Sequence, residues 1–372
     1  MAQIQGLNAH DRPPEVVRQR YKQYQKIPLA KIDGDAGIID LCGLDPDKPA
    51  DEVSITGWMS STELRGAFDR FVKGEETLHD GGRLVENIPV FAHKRVSGLR
   101  MIPALFPPTV QTELLSRLLH RDLSNKDHLT NVHLHYDVTY PKQVSTTADA
   151  QGDAAASPCV QSPISNKVRS FFEDDLLRMI NPKEPAVHKP ITVQEMLNKK
   201  LRWMTLGGQY DWTSKVYPEG QPPLFPQDTA KLLRSVFPET DAQAAIVNVY
   251  SAGDTLSVHR DVSEECDVGL ISVSFGCDCL FLISHDDGNG CEIIRLRSGD
   301  AVYMDGASRF AWHGVPKIIP STCPSWLAHW PEDKDELSGK LQFEPWRGWM
   351  AEKRINLNVR QMTSEKIGLT GD

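Results

Sequence analysis

Short runs of apolar residues, alternating or continuous, dominate the second half of the chain. They predict strands near residues 244–250, 268–276, 278–284, 291–296, 301–304, 309–313 and 354–361, separated by turns rich in Gly, Asp and Asn. Many short strands at close spacing, without helices between them, are typical of a sandwich or jelly roll. We therefore expect an α+β protein whose strand core is a sandwich or a jelly roll.

Helical periodicity is concentrated before this strand series. Leu64, Phe68 and Phe71 recur at helical spacing within 60–73, and a second apolar stripe follows Pro107-Pro108. Residues 191–203 and 226–236 show the same period, whereas 99–106 resembles a strand.

Composition divides the chain into four regions. Residues 141–170 are rich in Ser, Thr, Ala, Asp, Gln and Pro, which predicts a disordered insert. Residues 1–90 form an N-terminal extension of short helical pieces with no evident chemistry. Residues 91–140 provide an entry strand and helix, and residues 190–365 form the main domain.

Charge and cysteine content restrict the compartment and the partners. The formal net charge of −9 argues against a protein that coats nucleic acid non-specifically, although Lys199, Lys200, Arg202 and Lys215 could form a local basic rim. Seven cysteines, an odd number, and no signal peptide favour a reducing intracellular compartment. We expect the protein in the cytoplasm or nucleus. A mitochondrial location is also compatible with the sequence, because the basic segment 14–26 could act as a transit peptide. No apolar run of about 18 residues predicts a membrane span.

One stretch, from Asn248 to Asp261, carries candidate metal chemistry. His259 and Asp261 follow a predicted strand and stand one residue apart, so in an extended segment they point the same way. With His313 they would complete the 2-His-1-carboxylate set that leaves open positions on Fe(II). The alternative is that these histidines merely pack or form hydrogen bonds.

Other histidines compete for this assignment. His135, Asp137 and His188 repeat the pattern, but the low-complexity insert lies between them and His188 stands among prolines outside any predicted strand. Metal ligands need rigid support. His285 in a hairpin turn and His329 in a loop are expected at the surface.

A strictly alternating strand near the C-terminus strengthens the metal hypothesis. In residues 354–360 the side chains of Arg354, Asn356, Asn358 and Arg360 face one way, opposite three aliphatic residues. Two buried guanidinium groups need anionic partners, and a dicarboxylate provides them. Asn248 and Tyr250, on one face of a neighbouring strand, could contact the same ligand. An edge strand with surface ion pairs is the alternative.

These residues resemble the AlkB family of iron- and 2-oxoglutarate-dependent dioxygenases, most of all its homologue-1 branch. The family's Asn-x-Tyr-x-x-Gly-Asp-x-Leu-x-x-His-x-Asp pattern is matched by Asn248, Tyr250, Gly253, Asp254, Leu256, His259 and Asp261. Its distal histidine matches His313, and its closing strand matches Arg354, Asn356 and Arg360.

The resemblance implies a double-stranded β-helix, a jelly-roll form, with helices that brace one face. It also implies that the protein binds Fe(II), 2-oxoglutarate and O2. Iron would be held by the His259–Asp261–His313 triad, the distal carboxylate of 2-oxoglutarate by Arg354 with Tyr250, and its other end by Arg360, Asn248 and Asn356.

The resemblance also implies oxidation of methyl groups on nucleic acid bases, by demethylation or hydroxylation, with tRNA favoured and DNA possible. Tyr210 and Trp212 are candidates to stack on the base, whereas Ser263 replaces an acid that recurs in the family. The alternative function is oxidation of protein side chains, for example in histones. The oligomeric state is open, and a monomer is expected.

Overall fold

The computed structural model describes residues 6–42, 44, 52–74, 87–141, 169–218, 220–331, 333–334 and 341–364. The predicted insert at 141–170 lies almost entirely outside these residues. Within the described ranges, no helix has the length and apolar character that crossing a membrane requires.

Helices and strands are mixed in the first half of the chain, and strands dominate the second half. The α-helices are α1 (Glu15–Gln25), α2 (Ser61–Lys73), α3 (Pro108–Ser116), α4 (Val193–Glu195), α5 (Gln227–Val236) and α6 (Ser325–Ala328). The strands are β1 (Ile38–Asp40), β2 (Val53–Met59), β3 (Ile88–His93), β4 (Val96–Ile102), β5 (Met179–Ile180), β6 (Ile191–Thr192), β7 (Trp203–Gly207), β8 (Ala244–Ser251), β9 (Leu256–His259), β10 (Leu270–Gly276), β11 (Cys279–Ser284), β12 (Cys291–Leu296), β13 (Ala301–Met304), β14 (His313–Ile318), β15 (Asp333–Lys334), β16 (Leu341–Gln342) and β17 (Lys353–Arg360).

Two large sheets organise the molecule. The major sheet has eight strands in the order β2-β3-β4-β13-β10-β17-β8-β7, and the minor sheet has five in the order β1-β12-β11-β14-β9. Strand β17 lies between β10 and β8, which buries its alternating polar residues in the middle of the sheet. Strands β9 and β14 pair at the edge of the minor sheet.

Three apolar clusters hold these layers together. One lies between the sheets and includes Leu99 and Val302 from the major sheet with Phe281 and Ile294 from the minor sheet. A second joins the opposite face of the major sheet to α2, α3 and α5. A third packs α1 on the outer face of the minor sheet, through Tyr21 and its neighbours. The alternation of apolar side chains between sheet faces produces this layering.

The N-terminal region contributes strands as well as helices. Strand β1 pairs in parallel with β12 of the minor sheet, and β2 and β3 extend the major sheet beyond β4. Helix α2 is capped by the Ser60 side chain, which accepts from the Glu63 amide, and ends at Gly74 with φ 78°. This region is therefore integrated into both sheets, although its sequence suggested only helical pieces.

Two local predictions were wrong. Residues 306–310 form a 3-10 helix instead of a strand, because the Asp305 side chain accepts from the Gly306 amide and caps the turn. His313 consequently begins strand β14, where it was expected to end a strand. Residues 191–203 do not form one helix: after β6 and α4, 196–200 make a π-helical turn that leads towards β7.

Candidate active site

The predicted triad comes together at the edge of the minor sheet. His259 ends β9, His313 begins β14, and the two residues are direct partners across the strand pair. One ligand atom from each of His259, Asp261 and His313 lies within 4.8 Å of the others. The Asp261 carboxylate oxygens lie 3.6 Å from His259 Nε2 and 3.8 Å from His313 Nε2.

Hydrogen bonds orient both imidazoles for coordination. Nδ1 of His259 lies 2.9 Å from the Ser257 carbonyl oxygen, and Nδ1 of His313 lies 3.0 Å from that of Ala311. A carbonyl can only accept, so each Nδ1 carries the proton and each Nε2 presents its lone pair. His313 Nε2 is buried and has no hydrogen-bond partner among the described residues. Such an orphaned acceptor beside a carboxylate fits a metal ion.

Electrostatics keep the triad in its ligating protonation states. Burial, with help from His259, lowers the pKa of His313 to about 4, so its imidazole is neutral near pH 7. Burial alone would raise the pKa of Asp261, but the charge of the adjacent Arg360 holds it well below its usual range. Ligand atoms about 2 Å from one ion lie at most about 4 Å apart. The two distances from the Asp261 carboxylate to the imidazoles, 3.6 and 3.8 Å, satisfy this limit.

The competing histidines lie elsewhere. The rings of His135 and His188 approach to 4.6 Å, but the His259 set is the one three-ligand metal cluster that the described part of the chain contains. His285, expected at the surface, is instead buried and bonded to Glu292 at 2.5 Å, because its hairpin folds against the major sheet near His93. His329 is exposed, as expected.

The alternating C-terminal strand faces the inter-sheet space beside the triad. In the pairing of β17 with β8, Arg354 is opposite Tyr250 and Asn356 is opposite Asn248. Arg354 is 2% exposed; its Nη2 donates to Ser274 Oγ at 2.8 Å, but its Nε has no partner among the described residues. The Tyr250 hydroxyl is also buried without a partner. These orphaned donors suit the carboxylate of a bound ligand.

Two of the remaining predicted ligand-binding residues, Asn356 and Arg360, are already engaged with protein groups. Asn356 Nδ2 donates to Ser272 Oγ at 2.8 Å and to the Val273 carbonyl at 3.1 Å. Arg360 Nη2 donates to Asp261 Oδ2 at 2.6 Å. Arg360 thus contacts a triad carboxylate directly, which the alternation of residues 354–360 could not indicate.

A buried charge network behind the triad was missed by sequence reasoning. Arg309 is 1% exposed and donates to the carbonyls of Asp261 at 2.8 Å and Val268 at 3.0 Å. Its Nη2 donates to Glu264 at 2.9 Å, and the other Glu264 oxygen lies 3.1 Å from Arg360 Nε. Glu264 therefore joins two arginines that both contact Asp261. The proximity of Glu264 to the His-x-Asp stretch was the available signal, but nothing in the sequence linked it to Arg309.

A cavity of about 200 Å³ opens in front of the triad. Its lining includes His259, Asp261, Asn248, Asn358, Arg360 and the aromatic residues Tyr210, Trp212 and Tyr217. Tyr210 packs edge-on against Trp212 at 5.0 Å and against Tyr217 at 5.2 Å. The two predicted stacking residues are thus partly buried and lie at the triad.

The rim of this cavity brings together distant segments. Lys215 Nζ donates to the carbonyl oxygen of Ala9 at 2.8 Å, and both residues line the cavity. Arg260 also lines it and stacks over the Trp312 ring at 4.3 Å. Of the other predicted rim residues, Arg202 pairs with Asp254 instead. Part of the N-terminal region therefore lies at the site, although its sequence showed no chemistry.

A protein-family model described as the 2OG-Fe(II) oxygenase superfamily matches residues 161–360, more than half of the chain. The chain belongs to this superfamily. The match contains the triad and strand β17, and the superfamily implies Fe(II) and 2-oxoglutarate as the groups that such an enzyme binds.

Curated relatives identify the branch. The chain is 42% identical over 369 residues to the N6-methyladenosine RNA demethylase ALKB1 of Pyricularia oryzae, covering 96% of this chain and 98% of the relative. It is 48% identical over 244 residues to the N6-methyladenosine RNA demethylase ALKBH of Cryphonectria parasitica, covering 62% and 99%. It is 37% identical over 291 residues to the tRNA demethylase abh1 of Schizosaccharomyces pombe, covering 75% and 84%. The 2OG-Fe(II) oxygenase is thus AlkB-like and of the ALKBH1 branch, as the sequence motifs predicted.

Proposed function

We propose that this enzyme oxidises methyl groups on nucleic acid bases, using Fe(II), 2-oxoglutarate and O2, with RNA, including tRNA, favoured over DNA. The observation that carries the proposal is the His259–Asp261–His313 cluster, of which His259 and Asp261 line a cavity together with Tyr210 and Trp212. The printed activities of the relatives support a methylated base as substrate.

His259, Asp261 and His313 would hold the iron, through two imidazole Nε2 atoms and one carboxylate. Iron bound with 2-oxoglutarate and O2 supplies the oxidising chemistry that hydroxylates a methyl group while 2-oxoglutarate becomes succinate and CO2. A hydroxymethyl group on nitrogen then releases formaldehyde, whereas one on carbon persists. Arg309 and Glu264 support the reaction by holding Asp261 and Arg360 in place.

Arg354 and Tyr250 would hold the distal carboxylate of 2-oxoglutarate. Arg354 is buried and has an unpartnered Nε, and the Tyr250 hydroxyl is also unpartnered. A carboxylate that accepts from both would offset the unfavourable burial of the guanidinium group. We assign Arg360, Asn248 and Asn356 to the other end of the co-substrate, nearer the triad.

The methylated base would enter the cavity after leaving its stack. A cavity of about 200 Å³ is smaller than the roughly 300–1,000 Å³ of pockets for drug-sized ligands, so it suits one base and excludes a base pair. Tyr210 and Trp212 would stack on the base, since aromatic rings bind bases of any sequence through their faces.

We also propose the fold type, the oligomeric state and the cellular compartment. We assign the two facing sheets to a double-stranded β-helix, and we expect a monomer. The free cysteines among the described residues support a reducing intracellular compartment.

The test is 2-oxoglutarate turnover with defined substrates. Succinate production should be stimulated by RNA containing N6-methyladenosine or by methylated tRNA, more weakly by methylated single-stranded DNA, and not by methylated histone peptides. Mass spectrometry of the digested nucleosides should show loss of the methyl group or its hydroxylated form. Stimulation by peptides alone would overturn the proposal in favour of a protein oxygenase.

Matched variants separate the triad from its sequence duplicate. His259→Ala should abolish turnover and the stabilisation that Mn(II) gives the metal-free protein against heat. His135→Ala, which removes the first histidine of the competing His-x-Asp pattern, should leave both unchanged. Retained turnover in His259→Ala would show that the iron site lies elsewhere.

A further inference from the structure

The segment Gly6–Pro14, here called the N-terminal strap, lies at the rim of the active-site cavity, where Lys215 contacts Ala9. Leu7 and Ala9 are half-buried, whereas Asn8 and His10, which alternate with them, are exposed. Ala9 lines the cavity that holds the triad, and Leu7 lines a neighbouring cavity of about 370 Å³. Arg260 lines both cavities, so the strap lies beside two spaces that share one arginine.

The strap is attached mainly through polar contacts. Lys215 Nζ donates to the Ala9 carbonyl, and the Lys215 carbonyl accepts from Ser263 Oγ at 2.9 Å, two residues beyond Asp261. The strap itself turns at residues 8–11, where the Asp11 amide donates to the Asn8 carbonyl at 3.0 Å. A surface segment with few apolar contacts opens at low free energy.

The groups beneath the strap are cationic and incompletely satisfied. The Lys215 ammonium group is bonded to a neutral carbonyl, and Arg260 Nε is buried without a partner among the described residues. A phosphate is a stronger acceptor than a carbonyl for both cations, because the hydrogen bond then joins two charges. The larger cavity beyond Arg260 also carries Asp267, Asp286 and Asp305. On the Lys215 side the carboxylates Asp261 and Glu264 are paired with Arg360 and Arg309, so a phosphate is favoured there.

We propose that Lys215 and Arg260 form the surface that binds the phosphates beside the extruded base, and that the N-terminal strap covers this surface until nucleic acid displaces it. This inference rests on the proposed function, since it takes nucleic acid as the substrate. The N-terminal strap then competes with the nucleic acid for the same surface. The apparent affinity for substrate equals the intrinsic affinity multiplied by the fraction of molecules in which the strap is open.

The test measures binding without turnover. A fluorescently labelled single-stranded RNA containing N6-methyladenosine is titrated by anisotropy into the metal-free protein, in full-length form and lacking residues 1–11. If the strap is open in about one molecule in ten, the shortened protein should bind about tenfold more tightly. Hydrogen exchange in residues 6–14 of the full-length protein should become faster when the RNA is added.

Lysine variants identify the phosphate contact. In the shortened protein, Lys215→Met should weaken binding and reduce the slope of log K against log salt by about 0.7, the value for one phosphate contact on a single strand. Lys183→Met is the matched control, because Lys183 also donates to a backbone carbonyl, that of His133, but does not line the cavity. It should leave affinity and slope unchanged.

Unchanged or weaker RNA binding by the shortened protein would overturn the strap as a competitor, even if methylated RNA still stimulated turnover. An unaltered salt slope in Lys215→Met would overturn the phosphate contact. Failure of the proposed function looks different: no methylated nucleic acid would stimulate succinate production in either form. RNA binding by neither form would overturn both.

Discussion

Replacing Arg309 by methionine should destabilise the metal-free protein by about 3–5 kcal/mol, the usual cost of removing one partner from a buried ion pair. Arg309 and Glu264 are 1% and 3% exposed in their side chains, so water cannot replace the lost contact. The Asp261 and Val268 carbonyls lose their donor as well. Glu264 retains its ion pair with Arg360 Nε at 3.1 Å, so its charge is not left unpaired. The expected loss of stability therefore lies at the lower end of this range.

Urea unfolding of the metal-free protein measures this loss, and a double-mutant cycle shows its origin. Glu264→Gln added to Arg309→Met should cost less than the sum of the two single changes, by about 1–3 kcal/mol, because the residues contact each other. Additive losses, or a loss below about 1 kcal/mol for Arg309→Met, would refute the network as described.

A second measurement separates the positioning of Asp261 by Arg309 from the contribution of Arg309 to the stability of the whole protein. Arg309→Met should also reduce the thermal stabilisation produced by Mn(II), because the backbone of Asp261 is no longer held. Arg295→Met is the control: Arg295 pairs with the buried Asp278 at 2.8 Å, and Arg297 remains 3.8 Å from that carboxylate. It should lower stability but leave the metal-induced increment intact.

Two further predictions follow from the buried polar groups. Arg354→Met should raise the KM for 2-oxoglutarate about a hundredfold, from the loss of about 3 kcal/mol of charged hydrogen bonding; Arg100→Met, which removes an arginine paired with Glu239 near the surface, should not change it. Burial raises the pKa of Asp300 to about 6, so its contribution to stability is complete below the unfolded pKa near 3.8 and is lost as pH rises through 6. Urea unfolding should therefore show that the native protein loses up to about 3 kcal/mol of stability relative to Asp300→Asn between pH 4 and pH 7.5. A stability difference independent of pH would contradict the burial argument.

Much of the strand core could be predicted because its pattern is local. Alternation in residues 354–360 identified the polar face of β17, and the continuous apolar runs gave β11 to β13 with bounds close to those observed. The boundary at 306–310 was missed because one side chain, that of Asp305, decides between strand and 3-10 helix there. Strands β1 and β2 were missed because they are stabilised by pairing with strands about thirty residues or more away along the chain.

The sequence by itself determined which residues can ligate iron and a dicarboxylate, since His-x-Asp and Arg-x-Asn-x-Asn-x-Arg present chemically suited side chains at a period of two. Only the tertiary structure decided how they are held. The contact of Lys215 with Ala9 spans 206 residues, and that of Arg309 with Asp261 spans 48. Such contacts depend on how two sheets and an N-terminal segment pack, and no local period in the sequence records that packing.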